Sequence, residues 1–372
     1  MKQASFSARQ LRALFTAALL SPVLRLIPGS AAALAGRPAW IGPLVALPPL
    51  LLFAWLLHRL SGALQPGESL PELVQRRLGR PGRLALLVPG GWLLLYAGFV
   101  LRAGADRFLV TIYPRSGPGF FVVTMGLLAL LAALGRMQSL VRVARMTEPI
   151  LLLTLLLILA AALRSLDPGE LLPITAPDAG TLLLGALPSL DLLSFALAAP
   201  LLFAPDPQSR PPRFSATALQ LAGMSLLLTA LGAGVQGRFG AALSARLSAP
   251  FFALVRNLVF FRSLERMEAL VVGLWIFPDF LLTGLALQGA QRCLRLALNR
   301  PPQPGERRFS TGNGRWIIWL SGGAAIGLGF LIAPDPAALT FWSRTLIPLG
   351  SMILSLLLIP GILLAAGRQK KL

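Results

Sequence analysis

The stretch Thr181–Phe203, TLLLGALPSLDLLSFALAAPLLF, is long enough to cross a bilayer, yet it carries Pro188, Ser189 and Asp191 inside an otherwise apolar run. A hydrocarbon core of about 30 Å asks for about 20 apolar residues in a helix. A proline at that depth removes one backbone N–H and leaves a carbonyl one turn earlier without its donor. Such backbone persists only against protein or a wetted cavity. An aspartate in the same turn is costly and marks a functional-site candidate. The competing reading is a structural kink whose aspartate is protonated or capped.

Runs of this kind recur, and ten spans are read at 11–33, 40–58, 84–108, 119–135, 146–164, 181–203, 215–236, 267–298, 315–333 and 345–366. Charged residues make up 13% of the 372, against about 25% in soluble domains. The fold class is therefore all-α, a polytopic membrane protein. Lys2, Arg9 and Arg12 before the first run resemble a signal peptide, but Pro22 and Arg25 inside it favour a retained span.

The net charge of +20 sits in the loops, which reads as topology and contact with anionic membrane lipids, not as a nucleic-acid surface. Of 34 Lys and Arg, 22 fall on the N-terminal side of the membrane and 10 on the other, so both termini are predicted to be cytoplasmic. One cysteine, Cys293, excludes an intrachain disulfide and a cysteine metal cluster, and His58 is the lone histidine. No Walker loop, nucleophile elbow or aspartate-rich pair is present. No catalytic residue, metal or cofactor is expected.

Between spans, 59–83 alternates Leu70, Leu73, Val74 and Leu78 with Glu72, Arg76 and Arg77, as an amphipathic helix at the cytoplasmic interface does. Residues 238–266 are too apolar for a free loop and too charged for a span, which predicts a re-entrant or surface-lying helix. Residues 299–314 form a cytoplasmic linker rich in Pro and Gly. Gly323 and Gly327 have the spacing that permits close helix packing.

The first span is interrupted as well, by Ser21–Pro22, Arg25 and Pro28–Gly29. Spans one and six open two five-span halves, about 11–164 and 181–366. Interrupted segments at corresponding positions of two halves point to a transporter binding site, where unwound backbone and half-helix dipoles meet a ligand. Arg102 and Asp106 share a helix face four residues apart, and Pro278–Asp279 repeats the pairing of breaker and acid. The candidate ligand site is Ser21, Pro22, Arg25, Arg102, Asp106, Pro188, Ser189, Asp191 and Asp279. A ligand carboxylate would meet backbone N–H groups with Arg25 or Arg102, and an amino group would meet Asp191 or Asp106.

Several segments, in order along the chain, resemble the spore germination permeases, the B subunits of spore germinant receptors. They are FSARQLRALF (6–15), AGRPAWIG (35–42), LRAGADRFLVTIYP (101–114), LLPITAPDAGTLLLGALP (171–188) and SLERMEALVVGLWIFPDFLLTGLALQGA (263–290). The resemblance implies an amino acid–polyamine–organocation transporter architecture: two inverted five-helix repeats, with broken helices 1 and 6 holding the ligand. It implies a germinant-sensing subunit in the spore inner membrane or bacterial cytoplasmic membrane. Its expected ligand is a small-molecule germinant, an amino acid, and its expected partners are the A- and C-type receptor subunits. The chain departs from the family at Asp191–Ala196, where the family reads SFPFGE, and at Leu282, where it has lysine. A proton- or sodium-coupled amino acid transporter and a ligand-free membrane scaffold are the alternatives.

Overall fold

The computed structural model describes residues 6–113, 115–135, 137–172, 174, 178–209, 212–257, 267–298 and 315–368. The described chain is helical and contains no strand. In order, α1 is Ala8–Ala35, α2 Arg37–Ala63, α3 Leu70–Ala85 and α4 Leu87–Thr111. Next come α5 Pro118–Leu134, α6 Met137–Arg164, α7 Asp178–Ala198 and α8 Phe214–Arg246. The remainder are α9 Pro250–Asn257, α10 Met267–Leu274, α11 Ile276–Ala297, α12 Arg315–Leu331 and the composite α13 Pro336–Ala366.

Among the described residues, eight helical segments are long and apolar enough to cross a membrane. The fourth and ninth expected spans are the apolar helices α5 and α12, each of 17 residues. The protein is thus an all-α, multi-pass membrane protein.

Helix α1 starts on a reciprocal cap: Gln10 N–H donates to Ser7 Oγ at 3.2 Å, and Ser7 N–H donates to Gln10 Oε1 at 2.9 Å. It ends at Gly36, whose φ of 66° suits a residue without a side chain. In between, the expected break is corrected. The helix runs continuously through Pro22 and Pro28, and α7 runs through Pro188 before tightening into the 3-10 turn Ala199–Leu202. A proline deletes one N–H, whereas full unwinding between apolar neighbours orphans several backbone groups.

The centre of the bundle is α1, which packs on α7, α8, α11 and α6, while α4 and α11 make the most extensive helix contact. Helix α12 closes on α4 and α5 through small residues. A Cβ on Gly98 would lie 2.7 Å from Leu328 Cβ and 2.9 Å from the Ala325 carbonyl, and one on Gly126 would meet Ile326. Gly323 and Gly327 face open space, so the close approach runs through other glycines than the expected pair.

Helix α3 has the expected amphipathic character, burying Leu70, Leu73 and Val74. Ser69 and Glu72 cap it, and Glu72 also pairs with Arg292 of α11 at 2.6 Å. Helix α9 occupies part of the 238–266 segment, but it is buried instead of surface-lying. Phe251, Phe252, Leu254 and Val255 are all enclosed, and Pro250 lies close to Gly29 of α1. Residues 238–246 are the end of α8, while 258–266 and the 299–314 linker lie outside the described residues.

Gly98→Ala is expected to lower stability by about 1–3 kcal/mol, since the methyl meets backbone and a Cβ that cannot swing away. Gly323→Ala is expected to stay within about 0.5 kcal/mol of the parent. Thermal unfolding in detergent compares the two.

Candidate functional site

On α4, Val100, Ala103, Gly104 and Arg107 recur at helical spacing and share one face. That face meets Ser21, Pro22 and Arg25 of α1 and Asp279 and Leu282 of α11. Together with Phe99 they line a cavity of about 10 Å³, room for about one water molecule. Residues 100, 103 and 104 are small or of medium size, so the two charged side chains can approach. A Cβ on Gly104 would stand 3.1 Å from Asp279 Oδ2.

Arg107 and Asp279 form an ion pair across this face, and both residues are buried, at 3% and 4% exposure. Arg107 Nη1 also donates to Ser21 Oγ at 3.0 Å, and Nη2 to the Trp275 carbonyl at 3.4 Å. One guanidinium thereby ties α4 to α1 and α11. Its face lies 5.4 Å from the Phe252 ring of α9, and Phe251, Phe252 and Trp275 pack on one another around it. Asp279 sits in the first turn of α11, where the helix dipole favours a carboxylate.

Arg25 reaches the same cavity and stacks over Phe99 at 5.4 Å. It makes no hydrogen bond or ion pair among the described residues. The cavity thus holds two guanidiniums and one carboxylate, a local excess of positive charge.

The other expected residues are placed elsewhere. Arg102 and Asp106 do pair, at 3.6 Å, but Arg102 Nε donates to the Ala333 carbonyl at 2.8 Å, so the pair faces the link between α12 and α13. Pro188, Ser189 and Asp191 lie on α7, off the cavity wall. Asp191 is 2% exposed, and its Oδ1 has no hydrogen-bond partner among the described residues; Ser189 Oγ is likewise buried and unpartnered. Next to them, Ser194 donates to the Asp191 carbonyl and touches Ser355 Oγ of α13 at 2.8 Å. Buried Tyr96 of α4 packs on Phe195 of α7, the ring centroids 5.4 Å apart.

The sequence reading therefore missed Arg107, which it had counted in an outer loop. Its place was signalled by the three-and-four spacing from Val100 and Ala103, which carries the buried face to the end of the 84–108 span. Among the described residues, no group of three or more His, Cys, Asp and Glu is arranged to hold a metal.

Residues 6–298 match a family model, that of the spore permeases, described as spore germination protein. No curated protein matches the chain.

Removing one partner of a buried ion pair leaves an uncompensated charge, so Arg107→Gln is expected to destabilise the fold by about 3–5 kcal/mol. The double variant Arg107→Met with Asp279→Leu removes both charges and is expected to recover most of that loss. A double-mutant cycle on thermal unfolding reads the difference.

Proposed function

The chain belongs to the spore permease family of spore germination proteins, and from that premise we propose that it is a germinant-sensing subunit that binds an amino acid among its central helices. The observation that carries this reading is an arginine and an aspartate left without a bonding partner among the described residues, Arg25 half-buried and Asp191 buried. Arg25 of α1 has no counter-ion within bonding distance, and Asp191 of α7 has an unpartnered carboxylate oxygen. Helices α1 and α7 pack directly on one another. A guanidinium can take a ligand carboxylate through two parallel hydrogen bonds, and a buried carboxylate can take an ammonium group. A zwitterion would satisfy both.

The pairing of equivalent helices supports two inverted repeats, about 11–164 and 181–366. Helices α1 and α7 would be the first members of each half and α4 and α11 the third, and each pair is in contact. The charge bias supports both termini on the cytoplasmic side of the spore inner membrane or bacterial cytoplasmic membrane. Ligand entry requires movement, because the central cavity has room for about one water. An incoming carboxylate would compete with Asp279 for the arginines and loosen the junction of α1, α4 and α11. That loosening is the signal passed to A- and C-type partner subunits.

Binding of a panel of labelled amino acids, sugars and nucleosides to the purified protein tests the proposal, with Asp191→Asn alongside. Saturable binding of one amino acid is expected, weakened about tenfold or more by the substitution. Unchanged affinity in a folded Asp191→Asn sample would overturn the assignment of Asp191. Selective binding of a sugar or nucleoside instead would overturn the amino acid.

A further inference from the structure

A second and far larger cavity, of about 750 Å³, opens between the N-terminal half of α1, the end of α2, the C-terminal half of α7 and the start of α8. Its size falls within the range of small-molecule sites, but its chemistry differs from that of the central cluster. The inner wall is apolar, including Leu19, Leu57, Leu193, Ala196 and Leu197. Polar groups gather at one end, where Arg12 donates to Thr217 at 2.9 Å and Gln220 to Thr16 at 2.5 Å.

The charges at that end are unequally free. Glu68 is held by two hydrogen bonds from Arg76, at 2.7 and 2.8 Å, and Asp206 Oδ1 accepts from the Gln208 N–H at 2.9 Å. His58 is exposed and lies beside Phe214. The Arg12 Nε is buried without a hydrogen-bond partner among the described residues. An apolar chamber with a guanidinium on its wall matches a molecule with a hydrocarbon tail and an anionic head. The zwitterion proposed for the central site lacks such a tail.

We propose that this chamber is a binding site for an anionic phospholipid, with one acyl chain between α1, α2, α7 and α8 and the phosphate at Arg12. Hydrocarbon chains are the apolar matter within reach of a membrane-embedded protein, and enclosing one removes the leucine-lined wall from water. The phosphate gains a charge-assisted hydrogen bond from Arg12. None of the residues invoked belongs to the central cluster, so this proposal and the amino acid site stand or fall separately.

Native mass spectrometry of the full chain released from micelles doped with equal amounts of phosphatidylglycerol and phosphatidylcholine tests it. The parent is expected to retain one lipid, with phosphatidylglycerol preferred about fivefold or more. Arg12→Gln is expected to abolish the preference. Ala196→Trp, which fills the chamber, is expected to abolish retention, and Leu57→Phe serves the same end should the tryptophan variant fail to fold. A parent that retains no lipid overturns the site. Retention and preference unchanged in the filled and Arg12→Gln variants would likewise overturn it, as adventitious binding elsewhere.

Discussion

The ion pair between Arg107 and Asp279 is the constraint on which the centre of this bundle depends. Charges at membrane depth are costly, and pairing lowers the cost of each. The pair therefore fixes the register of α4 against α11, the most extensive helix contact in the molecule. The same guanidinium holds Ser21 and the Trp275 carbonyl, so α1 and the entry to α11 are set by the same group. Aromatic rings of α9 then enclose it, which explains why a segment too charged for a span nonetheless ends up buried.

Much of this was legible in the sequence, because hydrocarbon imposes simple rules. Spanning length and apolar composition gave the helices, and the leucine and charge alternation around Glu72 gave the amphipathic α3. The prolines were less transparent. Pro22, Pro28 and Pro188 each delete one N–H, and the sequence does not say whether neighbours absorb one free carbonyl or the helix unwinds. Here the helices continue. The glycines at 323 and 327 show the same limit: spacing identifies a face that can pack closely, while the position of α4 decides that Gly98 and Gly126 do so.

At the candidate site the sequence marked Ser21, Pro22, Arg25 and Asp279, which share a cavity. It could not pair Asp279 correctly. Arg102 and Asp106 satisfy a local four-residue rule, whereas Arg107 finds its acid 172 residues away. Long-range partnership of this kind depends on topology, and topology enters only once α4 lies against α11. Asp191 was singled out for its cost in hydrocarbon, and it lies on α7 off the cavity wall with one carboxylate oxygen unpartnered among the described residues.

Two neighbouring arginines are set apart: Arg107 holds the helices together, and Arg25 is the one proposed to take the ligand carboxylate. Thermal unfolding of Arg25→Gln, with and without the amino acid that binds the parent, separates these roles most directly. The account predicts that the variant unfolds at the temperature of the ligand-free parent and loses the rise that the ligand gives the parent. A variant that keeps the full rise, or that collapses without ligand as a broken Arg107–Asp279 pair would, contradicts it.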